Sequence, residues 1–131
     1  MPKSEVMLLE YLPDGSTVCP LLRLFNFSPT EALQLQQATV GLAAGAVNEF
    51  VVNDMSGVRG IARCRLTLKA GKRDIGVSHL GENSFECVLN PDTWDNISGL
   101  VEAFCEPIPS GHQWVVSVGD VNLLLSRDGS W

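Results

Sequence analysis

Two helix openings, 62 positions apart, constrain this chain more than any other feature. Phe27-Ser28-Pro29-Thr30-Glu31 begins one helical stretch and Leu89-Asn90-Pro91-Asp92-Thr93 begins another. In each, a polar residue able to cap a helix precedes a proline, which has no N–H to leave unpaired in the first turn. At the same offset, Ala32, Leu35, Thr39 and Leu42 stand opposite Trp94, Ile97, Val101 and Phe104. Past both helices the correspondence resumes with an offset of 64. Asn48-Glu49-Phe50-Val51-Val52 falls opposite His112-Gln113-Trp114-Val115-Val116. The pattern predicts one ββαββ unit used twice, with half-repeats 1–70 and 71–131. Neither half is large enough to bury a core alone, so the expectation is a single α+β domain over 1–131.

The strands read from alternation and turn chemistry. Glu5 to Leu12 and Val18 to Phe27 are two strands around Pro13-Asp14-Gly15-Ser16, a turn in which proline presets φ and glycine accepts the left-handed conformation. The first helix is expected over Pro29–Ala44, stopped by Gly45, and a strand over Glu49–Asn53. Ile61 to Lys69 alternates, with Ala62, Cys64, Leu66 and Leu68 on one face and Arg63, Arg65, Thr67 and Lys69 on the other. Ala70-Gly71-Lys72 turns the chain, and Ile75, Val77 and His79 continue the alternation on a return strand. Ser84–Leu89 is a further strand. The second helix runs from Pro91 to about Cys105, its Trp94, Ile97, Leu100, Val101 and Phe104 forming an apolar stripe, and Pro107 and Pro109 end it. Gln113–Val118 and Val121–Ser126 flank a Gly119-Asp120 hairpin turn. Hairpins dominate this order, which predicts a mainly antiparallel sheet with both helices packed on one face.

Hydrophobic residues make up 45% of the chain and the formal charge is -6. That balance argues against a general nucleic-acid binder and against an anionic membrane surface as partner. No apolar run approaches the ~20 residues of a membrane helix. Met1-Pro2-Lys3-Ser4-Glu5 carries no basic-then-apolar leader, so a cytoplasmic location is expected. Cys19, Cys64, Cys87 and Cys105 form no CxxC pair and read as reduced, small hydrophobes, not as disulfides or zinc ligands. Trp94 and Trp114 belong to the core, while Trp131 either docks on the body or marks a contact surface.

No GxGxxG, GxxxxGK[ST], GxSxG, HExxH or EF-hand pattern is present, so no cofactor and no metal are expected. Histidines are His79 and His112 alone. A Cys64–His79 nucleophile pair would need hydrogen-bond contact, and a structural histidine is the stronger reading. Charge segregation is the one surface feature that stands out. Arg59, Arg63, Arg65, Lys69, Lys72 and Arg73 are clustered, whereas Asp74 to Ser126 holds no lysine or arginine. Arg63, Arg65, Lys69 and His79 are therefore the candidate ligand- or partner-binding residues, arginine being suited to bidentate contacts with carboxylate or phosphate. The leading reading is a non-enzymatic protein-interaction module of adaptor, inhibitor or immunity type, with a protein partner or a second copy of itself. The alternative is an anionic-ligand-binding domain or small enzyme with a pocket between sheet and helices.

Overall fold

The computed structural model describes residues 7–14, 19–55, 57–106 and 111–127. The expectations for Glu5, the Gly15-Ser16 half of the first turn, Val18 at the start of the second strand, Pro107, Pro109 and Trp131 lie outside them.

Helix α1 (Pro29–Ala44) and helix α2 (Pro91–Glu102) begin where the capping residues stand. The Glu31 carboxylate accepts the Ser28 N–H and hydroxyl, both at 2.9 Å, so the first turn of α1 is tied back to its cap. Asn90 Oδ1 accepts the Thr93 N–H at 2.8 Å and does the same work for α2. Gly45, at φ 77°, ends α1 in the left-handed conformation, and the Ala46 N–H returns to the Gly41 carbonyl at 3.0 Å. A 3₁₀ turn over Ala103–Cys105 prolongs α2. Ala32, Leu35, Thr39, Leu42, Trp94, Ile97, Val101 and Phe104 are all buried.

The strands are β1 (Met7–Leu12), β2 (Leu21–Phe25), β3 (Glu49–Val51), β4 (Val58–Gly60), β5 (Arg65–Ala70), β6 (Gly76–Gly81), β7 (Ser84–Leu89), β8 (His112–Val116) and β9 (Asn122–Ser126). They form two sheets, in the orders β4-β1-β2-β9-β8 and β3-β5-β7-β6. This corrects the expected mainly antiparallel sheet, for both sheets are mixed. The β1–β2, β3–β5, β6–β7 and β8–β9 pairs are antiparallel, whereas β1–β4, β2–β9 and β5–β7 are parallel. Alternation along a strand says which face is buried but not which strand lies beside it. The hairpin expected between β5 and β6 is accordingly absent, and β7 lies between them.

Each sheet draws one antiparallel pair from either side of residue 70. The β1–β2 and β8–β9 pairs, with β4 at the edge, build the first, and the β3–β5 and β6–β7 pairs build the second. In both, the two pairs meet along a parallel seam. Leu22 and Leu24 pair with Leu123 and Leu125 in the first; Phe85 and Cys87 pair with Leu66 and Leu68 in the second.

The expected strand Ile61–Lys69 is also corrected. Ile61–Arg63 is a 3₁₀ turn in which Ala62 (φ 54°) and Arg63 (φ 63°) are both left-handed. The Asn53 side chain holds this departure in place. Its Nδ2 donates to the Cys64 carbonyl at 2.8 Å and its Oδ1 accepts the Leu66 N–H at 3.0 Å, as a neighbouring strand would. Asn83 Nδ2 donates to the Ala62 carbonyl at 2.8 Å. Gly60 is required because a Cβ there would stand 2.0 Å from the Cys64 oxygen. Asn53→Ala should cost about 1–3 kcal/mol in urea denaturation, since a half-buried carbonyl and N–H lose their partner together. Unchanged stability would show that water replaces the amide without penalty.

One apolar cluster draws on both helices and both sheets. Trp94 is its largest fully buried side chain, and its Nε1–H donates to the Lys69 carbonyl at 2.9 Å. Between the helices the Ser98 hydroxyl lies 2.8 Å from the Thr39 oxygen and 3.0 Å from the Trp94 carbonyl. Phe104 packs edge-on against Phe27, with centroids 5.5 Å apart. Phe104→Ala should therefore cost roughly 3–5 kcal/mol, and a loss below about 1 kcal/mol would mean that the site collapses around the missing ring.

Arg127 closes the far end of this core. It is 8% exposed and faces no carboxylate among the described residues. Its Nη1 donates to the Phe27 carbonyl at 3.0 Å, and its Nη2 donates to the Phe104 carbonyl and, at 2.8 Å, to that of Glu106. Its guanidinium carbon lies 5.0 Å from the Phe27 ring centroid and 6.0 Å from that of Phe104. The Phe104 and Glu106 carbonyls follow the end of α2, where the helix dipole is negative and a cation is stabilised.

Candidate interaction surface

The residues singled out by charge do not converge. Arg63 is exposed on the left-handed turn and is not on the strand with Arg65, so the expected arginine row does not form. Arg65 opens β5 on the outward face of the second sheet, alongside Thr67 and Lys69. Lys69 Nζ lies 2.9 Å from Glu86 Oε1 on the adjacent strand. The Glu86 hydrogen bond and charge, with a smaller contribution from the charge of Glu49, raise the Lys69 pKa. That pair is solvent-exposed and of the kind worth little.

His79 is on the opposite face. It pairs in register with Phe85, on the side shared by Leu66, Leu68 and Cys87. Its ring stacks on Phe85 at 4.4 Å and tilts against Tyr11 at 5.3 Å, and its Nε2 bonds the Glu82 carbonyl. The structure thus gives His79 a packing role where β1 meets β6 and β7.

Cys64 and Cys87 are buried and free. Burial, with a smaller push from Glu10, raises the Cys64 thiol to about 12; burial and then Asp74 raise Cys87 to about 12. Neither is a thiolate at neutral pH, so neither is a nucleophile. In the unfolded chain these thiols ionise near 9.0, so the folded state holds their protons longer. Their contribution to stability is complete below pH 9 and is lost as pH rises toward 12. Replacing both with alanine should flatten the alkaline limb of the stability profile, and an unaltered limb would show that other groups set it.

The cavity between helices and sheets measures about 20 Å³. It is lined by Leu35, Thr39, Trp94, Ile97 and Val101 of the helices and by apolar residues of both sheets. No ionisable side chain reaches it, and it has room for about one water.

A different feature is built on α1. Leu33, Gln37, Val40 and Ala44 follow i, i+4, i+7 and i+11 along its outward side, and all four are exposed. Leu33 and Val40 are 46% and 48% exposed, and Val47, just past the helix, is 41% exposed. Beside this ridge runs an open groove of about 400 Å³ lined by Gln34, Gln37, Gly41, Val47, Phe50 and Asp54, with Ala38 and Met55 beneath. Gly41 keeps it open, since a Cβ there would press to 3.3 Å from Val47. Asp54 is its one charged lining residue.

The outward side of α2 is the internal comparison. It carries Asp92, Asp95, Asn96 and Glu102, all exposed, as a solvated helix does. From Ala32 to Asn48 the chain has no charged residue at all, although it carries 9 basic and 15 acidic ones overall. The signal was present in the sequence as the weak amphipathicity of the first helix: apolar residues fall on both of its sides.

The chain is thus an α+β protein of two mixed sheets around a helix pair, with one helix face left apolar. Comparisons with protein-family models, with curated proteins and with solved structures give no match. Among the described residues, no helix is long and apolar enough to cross a membrane and no group of three or more His, Cys, Asp and Glu side chains could hold a metal.

Proposed function

We propose that this chain is a cytoplasmic, non-enzymatic interaction module of a single domain, which docks a protein partner along the outward face of α1. One observation carries the reading: Leu33, Val40 and Val47 stand exposed beside an open groove on a helix that carries no charge after Glu31, while α2 presents acids to water. Exposed apolar side chains gathered on one helix face beside a groove are a feature of contact sites. The rival reading, an anionic ligand held between sheet and helices, has less support. The cavity there is small and apolar, and Arg63, Arg65 and His79 point to separate surfaces.

The module is proposed, further, to be two copies of one ββαββ unit. The matching caps, the eight matching buried helix positions and the matching parallel seams support that origin.

The docking reading is tested by placing a photo-crosslinking residue at Gln37, which is exposed and lines the groove, and irradiating the full chain in extract of its native host. Polypeptide cross-linked at Gln37 but not at a control position on α2, such as Asn96, is the expected result. Equal labelling at both positions would remove the special standing of α1.

A further inference from the structure

We infer that the occupant of the α1 face is a second copy of this chain, packed about a two-fold axis that runs through α1; this rests on the docking reading above. The argument is one of self-complementarity. Around a two-fold axis each side chain meets its own symmetry mate or a near neighbour of it, so the surface must match itself. A charged side chain at that place would repel its twin. This protein carries a net charge of -6, so two copies repel one another on average. The α1 face adds little to that repulsion, having no charge from Ala32 to Asn48 and Asp54 alone in its groove.

Its polar groups are those that can pair with themselves. Gln34, Gln36 and Gln37 are the polar side chains on and beside the ridge. An amide both donates and accepts, so two glutamines facing each other across an axis satisfy one another, as two carboxylates or two ammonium groups cannot. The shape agrees. An isologous interface needs a knob and a hole on the same patch, and here the Leu33–Val40 ridge lies directly beside the groove floored by Gly41 and Ala38 and walled by Val47 and Phe50. A partner of different sequence would need none of these matches; a strongly charged one would find nothing here but Asp54 to pair with.

The test is sedimentation velocity on the full chain over a range of concentration up to about 100 µM, where a pair of micromolar affinity is almost fully formed. The wild type is expected at twice the 14.2 kDa chain mass. Val40→Glu and Leu33→Glu each place two carboxylates near the axis and should weaken the pair about 100-fold or more, leaving a monomer with an unchanged circular dichroism spectrum. Ile75→Glu and Leu80→Glu, equally exposed but on and beside β6, should leave the dimer intact. A wild-type monomer at the highest concentration overturns the inference, and so does a dimer that survives both α1 variants. The Gln37 cross-link separates the two ideas. A monomeric wild type that still cross-links a foreign chain through Gln37 retains the docking reading and loses the self-pairing; a monomer that cross-links nothing loses both.

Discussion

Arg127→Met should destabilise the protein by about 2–4 kcal/mol in urea denaturation, the loss expected when buried carbonyls give up a charged donor and gain none. Three carbonyls, those of Phe27, Phe104 and Glu106, depend on its two terminal nitrogens. Each buried carbonyl left without a donor costs about 1–3 kcal/mol, and methionine, similar in length, offers none. One effect opposes this. The Arg127 Nε has no partner among the described residues, so its removal relieves an unsatisfied donor. Glu106 is exposed and its carbonyl has water as an alternative, so the opposition is one group against the two buried carbonyls of Phe27 and Phe104, and destabilisation wins. Arg127→Lys should fall between, since an ammonium reaches fewer acceptors at fixed geometry and does not spread over the Phe27 ring. If Arg127→Met unfolds within about 1 kcal/mol of the wild type, water satisfies those carbonyls and the guanidinium is not the lock described.

Trp94→Ala should be as costly or worse, roughly 3–5 kcal/mol for the lost volume with a further contribution of about 1 kcal/mol from the Lys69 carbonyl that Nε1 leaves behind. Against a total stability of about 5–15 kcal/mol that is a large fraction, so the variant will sit near its unfolding transition at 37 °C. Trp94→Phe separates the two contributions. It keeps most of the ring and removes the donor, so a loss of about 1–2 kcal/mol is expected. Equal losses for phenylalanine and alanine would assign the whole effect to the hydrogen bond and would contradict the packing account.

What was legible beforehand is local. Ser28, Asn90 and the prolines after them act within one helical turn, so their spelling is enough to place α1 and α2. The apolar stripe of α2 is likewise a matter of spacing. Strand partners are a different kind of fact. Nothing in Leu66-Thr67-Leu68 distinguishes a strand beside β6 from one beside β7, since both would bury the same two leucines. The parallel seams were invisible for that reason. Ala62 and Arg63 kept the alternation of a strand, yet the amide of Asn53, distant in sequence, and the bare Gly60 permit a left-handed turn there. Nothing in the spelling around Arg127 points to its burial, because its acceptors are the backbone carbonyls of Phe27, Phe104 and Glu106, and carbonyls have no sequence signature. Arg63, Arg65, Lys69 and His79 lie on different faces and elements, a placement that register decides and spelling does not. The absence of charge from Ala32 to Asn48, by contrast, was plain in the sequence but acquired meaning only once α1 was seen to keep one side free.

The parallel seams also bear on how the chain acquires its structure during synthesis. β2 emerges early from the ribosome, whereas its seam partner β9 is the last described strand to be made. Until then the β1–β2 hairpin has an open inner edge, lined by backbone groups with nothing to bond, and the first half cannot complete either sheet. Contacts so distant along the chain carry a high entropic cost of closure and form slowly. An unpaired, leucine-rich edge of that kind is where nascent chains join one another, so the interval before β9 arrives is the one in which this protein most needs to be kept apart from its own copies.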